Sequence, residues 1–337
     1  MRTSKLLSFT LLLGVFMLVV YHKLLGGPRG GPPPRNVTVL LWHWPFGRSY
    51  SLRGDVCRDS YNIPRCVLTD KTSLFASADV VVFHHHELQA GRSALPLGLP
   101  RRPSQRWVWL SLEPPANNGD LSPYNGLFNW TMSYRRDADI FMPYGKTVRL
   151  NNTGSYVIPR KNSCLASWVV SNYKSDHVRS RLYQDLKKSI PIEVYGSWQN
   201  KPLAGQDLLA TIERCHFYLA FENSIATDYI SEKLWRNALQ AGAVPVVLGP
   251  PKAAYEALAP PGSFIHVDDF ISTAELASYL QHLASDRKAY QAFFKWHQTY
   301  GIKTYTDWRE RLCNICMKYD ELPAIKVYHD LEGWARS

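Results

Sequence analysis

The chain has 337 residues, 45% of them hydrophobic and 20% charged, and 39 Lys+Arg against 28 Asp+Glu give a formal net charge of +11. That length and balance exclude a small single module, a disordered chain, and collagen-like or coiled-coil architectures; two domains fit best. The charge calls for an anionic partner such as a membrane surface, a nucleotide-sugar or an acidic glycan. Nucleic acid is not expected, because there is no long Lys/Arg run and no zinc-finger spacing.

Residues 6–21 form an apolar, uncharged stretch, preceded by Arg2 and Lys5 and followed by His22 and Lys23. It is short for a plasma-membrane helix but matches a thinner bilayer of the early secretory pathway. No small-residue cleavage pattern follows Tyr21, so an uncleaved type II signal-anchor is expected rather than a removed signal peptide. Residues 1–5 are then a cytoplasmic tail. Residues 22–36 are a Gly/Pro-rich stem that cannot pack as a domain.

Beyond the stem, short apolar runs each end in a polar residue or glycine. The run 37–42 leads to His43, and 79–83 to His84-His85-His86-Glu87. The run 107–112 leads to Glu113, and 168–170 to Ser171-Asn172. The run 192–195 leads to Gly196, 217–221 to Glu222-Asn223, 244–248 to Gly249, and 264–267 to Asp268. Such Val/Leu/Phe runs predict strands buried on both faces. Helices are predicted over 175–189, over 228–241 with Asp228 opening it, and over 272–285 behind a Ser272…Glu275 capping box. The alternation predicts an α/β fold of two Rossmann-like domains facing a cleft: 37–150, a linker at 151–163, and 164–337. Ligands in such sheets collect at the carboxyl ends of strands, so the residues that follow the runs are the candidate site. No G-x-G-x-x-G follows a strand and no P-loop occurs, which excludes the usual dinucleotide and NTP sites.

Asn36, Asn129 and Asn151 open N-x-Thr sequons, as expected of a lumenal body. The six cysteines are Cys57, Cys66, Cys164, Cys215, Cys313 and Cys316. An even set suits disulfides. Zinc would need a second close pair beside Cys313-Asn-Ile-Cys316, and a redox role would need that motif at a helix start. Asp137-Ala-Asp139 resembles a D-x-D metal signature, but Arg135-Arg136 precede it. Adjacent histidines on a strand point to opposite faces, so His84–His86 make a poor zinc site. No metal is expected.

The stretch 217–251 is the most informative. Glu222-Asn223-Ser224 ends a strand, and the predicted helix places Tyr229, Glu232 and Lys233 at i, i+3 and i+4, on one face. An ammonium at a helix start suits a phosphate, and a neighbouring carboxylate suits ribose hydroxyls. The motifs Phe221-Glu-Asn-Ser224, Tyr229-Ile-Ser-Glu-Lys233 and Val244-Pro-Val-Val-Leu-Gly-Pro250 resemble the signature of the α-(1,3)-fucosyltransferases, glycosyltransferase family 10. Ser231 stands where that family usually has Thr. Trp42-His-Trp-Pro-Phe46, Val82-Phe-His-His85, Tyr134-Arg-Arg-Asp137, Pro143-Tyr-Gly145, Trp168-Val-Val-Ser-Asn172 and the blocks 306–311 and 330–334 extend the likeness.

The resemblance implies a GT-B fold, a GDP-β-L-fucose donor bound without a metal, and inversion at the anomeric carbon. Lys233 and Arg179 would hold the diphosphate, and Glu232 the ribose. Tyr229 would pack near the donor, Ser171 and Asn172 would line the nucleotide pocket, and Glu222 and Asn223 would share the cleft. Glu113 would be the general base, although Glu113-Pro114-Pro115 replaces the usual Glu-Ser-Pro. The family pattern also implies that Cys57 and Cys66 pair with Cys313 and Cys316, and Cys164 with Cys215. The implied setting is the Golgi membrane. The implied acceptor is GlcNAc in α2,3-sialylated lactosamine; neutral acceptors, or a silent glycan-binding protein, are the alternatives.

Overall fold

Every position of the strand Val80–His84 is buried. A β-branched and aromatic run with no exposed alternate position is what a strand covered on both faces requires. The computed structural model describes residues 35–151, 156–161, 164–203 and 205–337. The expected anchor over 6–21 and nearly all of the stem lie outside these residues. Among the described residues no helix is long and apolar enough to cross a membrane. Residues 37–337 form one compact unit.

The strands are β1 (Val37–Leu41), β2 (Cys66–Thr69), β3 (Val80–His84), β4 (Arg106–Ser111), β5 (Trp130–Ser133), β6 (Ile140–Phe141), β7 (Gly145–Arg149), β8 (Cys164–Val169), β9 (Ile192–Tyr195), β10 (Cys215–Phe221), β11 (Val244–Leu248), β12 (Ile265–His266) and β13 (Tyr300–Thr304). They form a six-stranded sheet in the order β2-β1-β3-β4-β5-β6 and a five-stranded sheet in the order β12-β11-β10-β8-β9. Neighbours in both sheets run parallel. A small antiparallel pair joins β7 to β13. In the first sheet the chain leaves β1 for β2 on one side and returns to β3 on the other. In the second it leaves β8 for β9 and returns to β10. Each reversal opens a crevice at the carboxyl edge, where ligands of open parallel sheets bind.

Two sequence expectations about helices change. The capping box holds: Glu275 N donates to Ser272 Oγ at 3.1 Å and Ile271 N to Glu275 Oε2 at 2.8 Å, starting the helix Thr273–Ser285. The helix expected over 228–241 instead begins at Lys233 and is wound with wide π turns to Gln240. Asp228 does not cap it. Its backbone is left-handed at φ 58°, and its carboxylate accepts from Arg136 N at 3.0 Å and Arg136 Nε at 2.8 Å. That ion pair draws the loop toward the end of β5, so Tyr229 precedes the helix and does not share its face with Lys233. The helix expected over 175–189 spans Val178–Leu186.

The boundary at 164–337 also changes. From Tyr305 onward the chain returns to the first sheet. Leu312, Cys313 and Ile315 of the helix Trp308–Lys318 are buried among Val37, Val39, Val80 and Val108. Tyr328, Leu331 and Ala335 pack with Phe83, Trp107 and Trp109 on the same sheet's other face. The first sheet exposes apolar faces that its own local helices do not cover, and the C-terminal segment supplies the missing cover.

Three disulfides tie this arrangement: Cys57–Cys313, Cys66–Cys316 and Cys164–Cys215. The first two link the helix Val56–Tyr61 and β2 to the helix Trp308–Lys318, across separations of 256 and 250 residues. The third joins the adjacent strands β8 and β10, whose cysteines face each other in register. Asn36 and Asn151 are exposed. Asn129 is buried, and its Nδ2, the atom a glycan would occupy, donates to Lys326 O at 2.8 Å. The Asn129 amide of the folded chain is therefore turned inward, unlike those of the exposed Asn36 and Asn151.

Loops this long should make each cross-link stabilising by about 2–5 kcal/mol in the chain-entropy account. A non-reducing peptide map should recover Cys57 with Cys313 and Cys66 with Cys316, and the double variant Cys66→Ser/Cys316→Ser should melt earlier; a Cys313–Cys316 peptide would contradict the structure.

Candidate active site

The crevice of the second sheet is built from the end of β10. Glu222, one residue past the strand, is buried. Its carboxylate accepts from Ser231 N at 2.7 Å, from Ser231 Oγ at 2.8 Å and from Lys233 Nζ at 3.0 Å. Lys233 Nζ also meets Ser231 Oγ at 2.8 Å and Glu232 Oε1 at 3.2 Å. Burial opposes the charge on Lys233, but the Glu222 and Glu232 carboxylates outweigh it and hold the ammonium's pKa above the ordinary lysine value. Gly249 allows this packing. A Cβ there would collide with the Tyr255 hydroxyl and stand 3.1 Å from Glu222 Cγ.

Beside this cluster a cavity of about 330 Å³ is walled by Arg179, Glu222, Asn223, Ser224, His177 and Leu248. Arg179 is buried on the first turn of the helix Val178–Leu186. One Nη donates to Asn172 O, and its buried Nε has no partner among the described residues. Asn223 Oδ1 is likewise buried and unpaired. Buried donors and acceptors are rarely left so, and a polar ligand in the cavity would satisfy both. Ser171 and Asn172 are exposed, just past β8.

The other wall comes from the first sheet. Glu113 stands just beyond β4. Its amide donates to Ser111 Oγ at 3.2 Å, and Asn117 Nδ2 donates to its Oε2 at 2.9 Å. Ser111 Oγ in turn donates to Asn118 Oδ1 at 2.8 Å. Ser111, Asn117 and Asn118 thus supply the local bonding in the loop that carries Pro114. Glu113 and Glu232 line one cavity of about 230 Å³, together with His84, Tyr144, Trp308 and Arg311. Carboxylates from the two halves of the protein therefore face one space. Tyr229 is buried outside that cavity, with its ring 4.9 Å from Tyr134 and 6.3 Å from Tyr144.

Of these wall residues the sequence marked His84, which follows an apolar run, and missed Arg311 and Tyr144. Arg311 is buried within a box of Tyr144, Tyr305 and Trp308 at 5.7, 5.9 and 5.3 Å. Burial lowers its pKa to about 10, so it stays cationic at neutral pH. His84 ends β3, and burial pushes its pKa down to about 3 despite Glu87. Tyr144 donates to Leu112 O at 2.6 Å. Arg311 and Tyr144 lie within family-like motifs but carry no distinguishing pattern of their own. The D-x-D carboxylates are occupied: Asp137 takes two bonds from Arg135, at 2.8 and 2.7 Å, and Asp139 binds Lys326 Nζ at 2.6 Å and Tyr328 OH at 2.8 Å.

Known proteins share this arrangement. The family model for glycosyltransferase family 10 (fucosyltransferase), C-terminal part, matches residues 158–334, and that for the fucosyltransferase N-terminal part matches residues 34–145. Human alpha-(1,3)-fucosyltransferase 7 is 48% identical, covering 98% of this chain and 97% of its own. The chain belongs to glycosyltransferase family 10, the fucosyltransferases, and is an enzyme of that class. Bovine 4-galactosyl-N-acetylglucosaminide 3-alpha-L-fucosyltransferase 9 is 39% identical over 89% of this chain and 82% of its own. A crystal structure of an α1,3-fucosyltransferase with GDP-fucose superposes with a TM-score of 0.57 at 17% identity, covering 90% of this chain and 95% of that one. The two-sheet α/β architecture is thus that of solved fucosyltransferases.

Within this fucosyltransferase, Glu222 is a positioning residue whose carboxylate is consumed by Ser231 and Lys233. Removing one partner of a buried ion pair typically costs about 3–5 kcal/mol. Glu222→Ala should approach that loss in a denaturant titration, with Glu222→Gln retaining more stability. His84 adds a pH dependence. The unfolded chain protonates this histidine below its ordinary value near 6.5, while the folded chain resists down to about 3. The unfolded state binds the extra proton in that window, so stability should fall as pH drops from about 6.5 toward 3. His84→Asn should flatten that slope in thermal melts.

Proposed function

We propose that the protein is an inverting α-(1,3)-fucosyltransferase that moves L-fucose from GDP-β-L-fucose to the 3-hydroxyl of GlcNAc in α2,3-sialylated lactosamine. The observation that carries this reading is the shared cavity with Glu113 on one wall and Glu232 on the other, flanked by the donor-side cluster of Glu222, Lys233 and Arg179. An α1,3-fucosyltransferase of the same fold is solved with GDP-fucose, and relatives named as an alpha-(1,3)-fucosyltransferase and a 3-alpha-L-fucosyltransferase cover 98% and 89% of the chain.

In the proposed reaction the acceptor hydroxyl attacks the fucose anomeric carbon from the face opposite the diphosphate. The new C–O bond forms as the bond to the β-phosphate oxygen breaks, and GDP leaves with that electron pair. The hydroxyl proton passes to Glu113. Charge developing on the diphosphate is met by the guanidinium of Arg179 and the ammonium of Lys233, fixed before reaction by their neighbours. Lys233 already points toward Glu222, Ser231 and Glu232, so a bound diphosphate would take the place of Glu232. That frees the half-exposed Glu232 for the ribose hydroxyls. Asn223, Ser171 and Asn172 would border the nucleotide, and Tyr229 would pack behind the donor. The single-pass type II topology, the Golgi location and glycans at the exposed Asn36 and Asn151 belong to the same proposal.

Glu113→Gln should lower kcat by roughly 10²–10⁴-fold, the usual contribution of general-base catalysis, with GDP binding retained. Lys233→Ala should weaken both GDP-fucose binding and turnover. Fucose transfer to sialylated and neutral lactosamine should be followed side by side, with GDP affinity measured by calorimetry. A folded Glu113→Gln enzyme with normal kcat would overturn the base assignment. Equal kcat/KM for the two acceptors at low and high salt would overturn the acceptor.

A further inference from the structure

The larger cavity of the first sheet, about 580 Å³, lies apart from the donor cluster. It sits at the carboxyl edge, where the chain reverses between β1 and β3, and is walled by Trp42, His43, Trp44, Asp70, Thr72 and Arg92. The turn after β1 divides it from the catalytic cavity. Gly47 faces the larger space, and the preceding Phe46 faces the one that holds Glu113. A molecule crossing Phe46 would therefore occupy both.

The wall chemistry is specific. The half-buried indole of Trp42 offers a ring surface of the kind that packs against sugar C–H groups; its Nε1 is held by Ala94 O at 3.0 Å. Asp70 offers carboxylate oxygens to sugar hydroxyls, while its Oδ2 accepts from Trp44 Nε1 at 2.9 Å. Arg92 is the one Arg or Lys among the residues that line the cavity. Its Nε donates to Glu87 Oε2 at 2.6 Å, the single side-chain hydrogen bond it makes among the described residues. Half of its side chain is exposed. The two Nη groups remain open, and a guanidinium edge of that shape takes a carboxylate through two parallel bonds. Glu87 is 1% exposed, and its other oxygen accepts from Phe46 N at 2.8 Å. One buried carboxylate thus fixes both the dividing turn and the orientation of Arg92.

We infer that this cavity is the subsite for the distal, acidic sugar of the acceptor, and that Arg92 binds its carboxylate. The inference rests on the proposed transfer to a sialylated lactosamine. It adds where the anionic sugar sits and which residue reads it. With the GlcNAc hydroxyl at Glu113, the galactose would cross Phe46 and the sialic acid would meet Arg92.

The test measures initial rates with GDP-fucose on α2,3-sialyl-lactosamine and on neutral lactosamine, for the wild type, Arg92→Gln and Arg92→Lys. The ratio of kcat/KM, sialylated over neutral, should fall about tenfold or more in Arg92→Gln, the scale of a lost hydrogen-bonded charge pair, chiefly through KM. Arg92→Lys keeps the charge opposite Glu87 but loses the fork, so its ratio should fall by an intermediate amount. A proportional loss on both acceptors would mean that Arg92 acts only by holding Glu87 and Phe46, and would overturn the inference. So would unchanged rates on both. A wild-type enzyme that fucosylates neither acceptor, or both equally, would overturn the proposed function itself, and it is read before any variant is compared.

Discussion

Burying the ammonium of Lys233 constrains everything around the second crevice. A cation nearly removed from water is tolerated only with close, hydrogen-bonded counter-charge. Glu222 supplies it from the end of β10, and Ser231 and Glu232 take the remaining positions. Reaching those partners forces residues 223–231 to loop out before the helix starts at Lys233. The same loop leaves Glu232 at the cavity mouth. Gly249 follows from the same demand, since any side chain on the neighbouring strand end would collide with Glu222 and Tyr255.

A cleft between two sheets has value only if the sheets hold their relation. Several independent links do this. Arg136 at the end of β5 pairs with the buried Asp228. Gly145 lies against the Trp235 ring, where a Cβ would stand 2.5 Å from the indole. The chain after β13 crosses back and covers both faces of the first sheet, and two disulfides lock its helix in place. Arg311 belongs to that returning helix, so the segment that completes the first core also carries a cation into the cavity lined by Glu113 and Glu232.

The charges are distributed to suit transfer of a group between two anionic or polar partners. Glu113 is held by an amide side chain and a loop, while the Lys233 ammonium is preset by the Glu222 and Glu232 carboxylates. The phenols that surround the cleft are buried; Tyr144 and Tyr229 have pKa values raised well above the ordinary range by burial, so they act as neutral walls. Fixed dipoles and charges of this kind need little rearrangement when charge develops.

The sequence by itself determined the local elements and the chemistry-bearing positions. Runs such as 80–84 and 244–248 read as buried strands because period and composition are local properties. The Ser272…Glu275 cap was legible for the same reason. The residues past β4, β8 and β10 marked the candidate site, since parallel strands present ligands at their carboxyl ends. The tertiary structure decided the rest. Asp228 looked like a helix cap until Arg136, distant in sequence, claimed its carboxylate. Asn129 reads as a surface sequon, yet its amide is buried against the Lys326 carbonyl. The 164–337 unit looked continuous until residues 305–337 packed on the first sheet. Arg311 against Pro143, Tyr144 against Leu112 and Glu87 against Phe46 had no local signature. Each of these rests on a partner far along the chain, and such pairings depend on burial and competition between hydrogen-bond partners, which local sequence pattern does not carry.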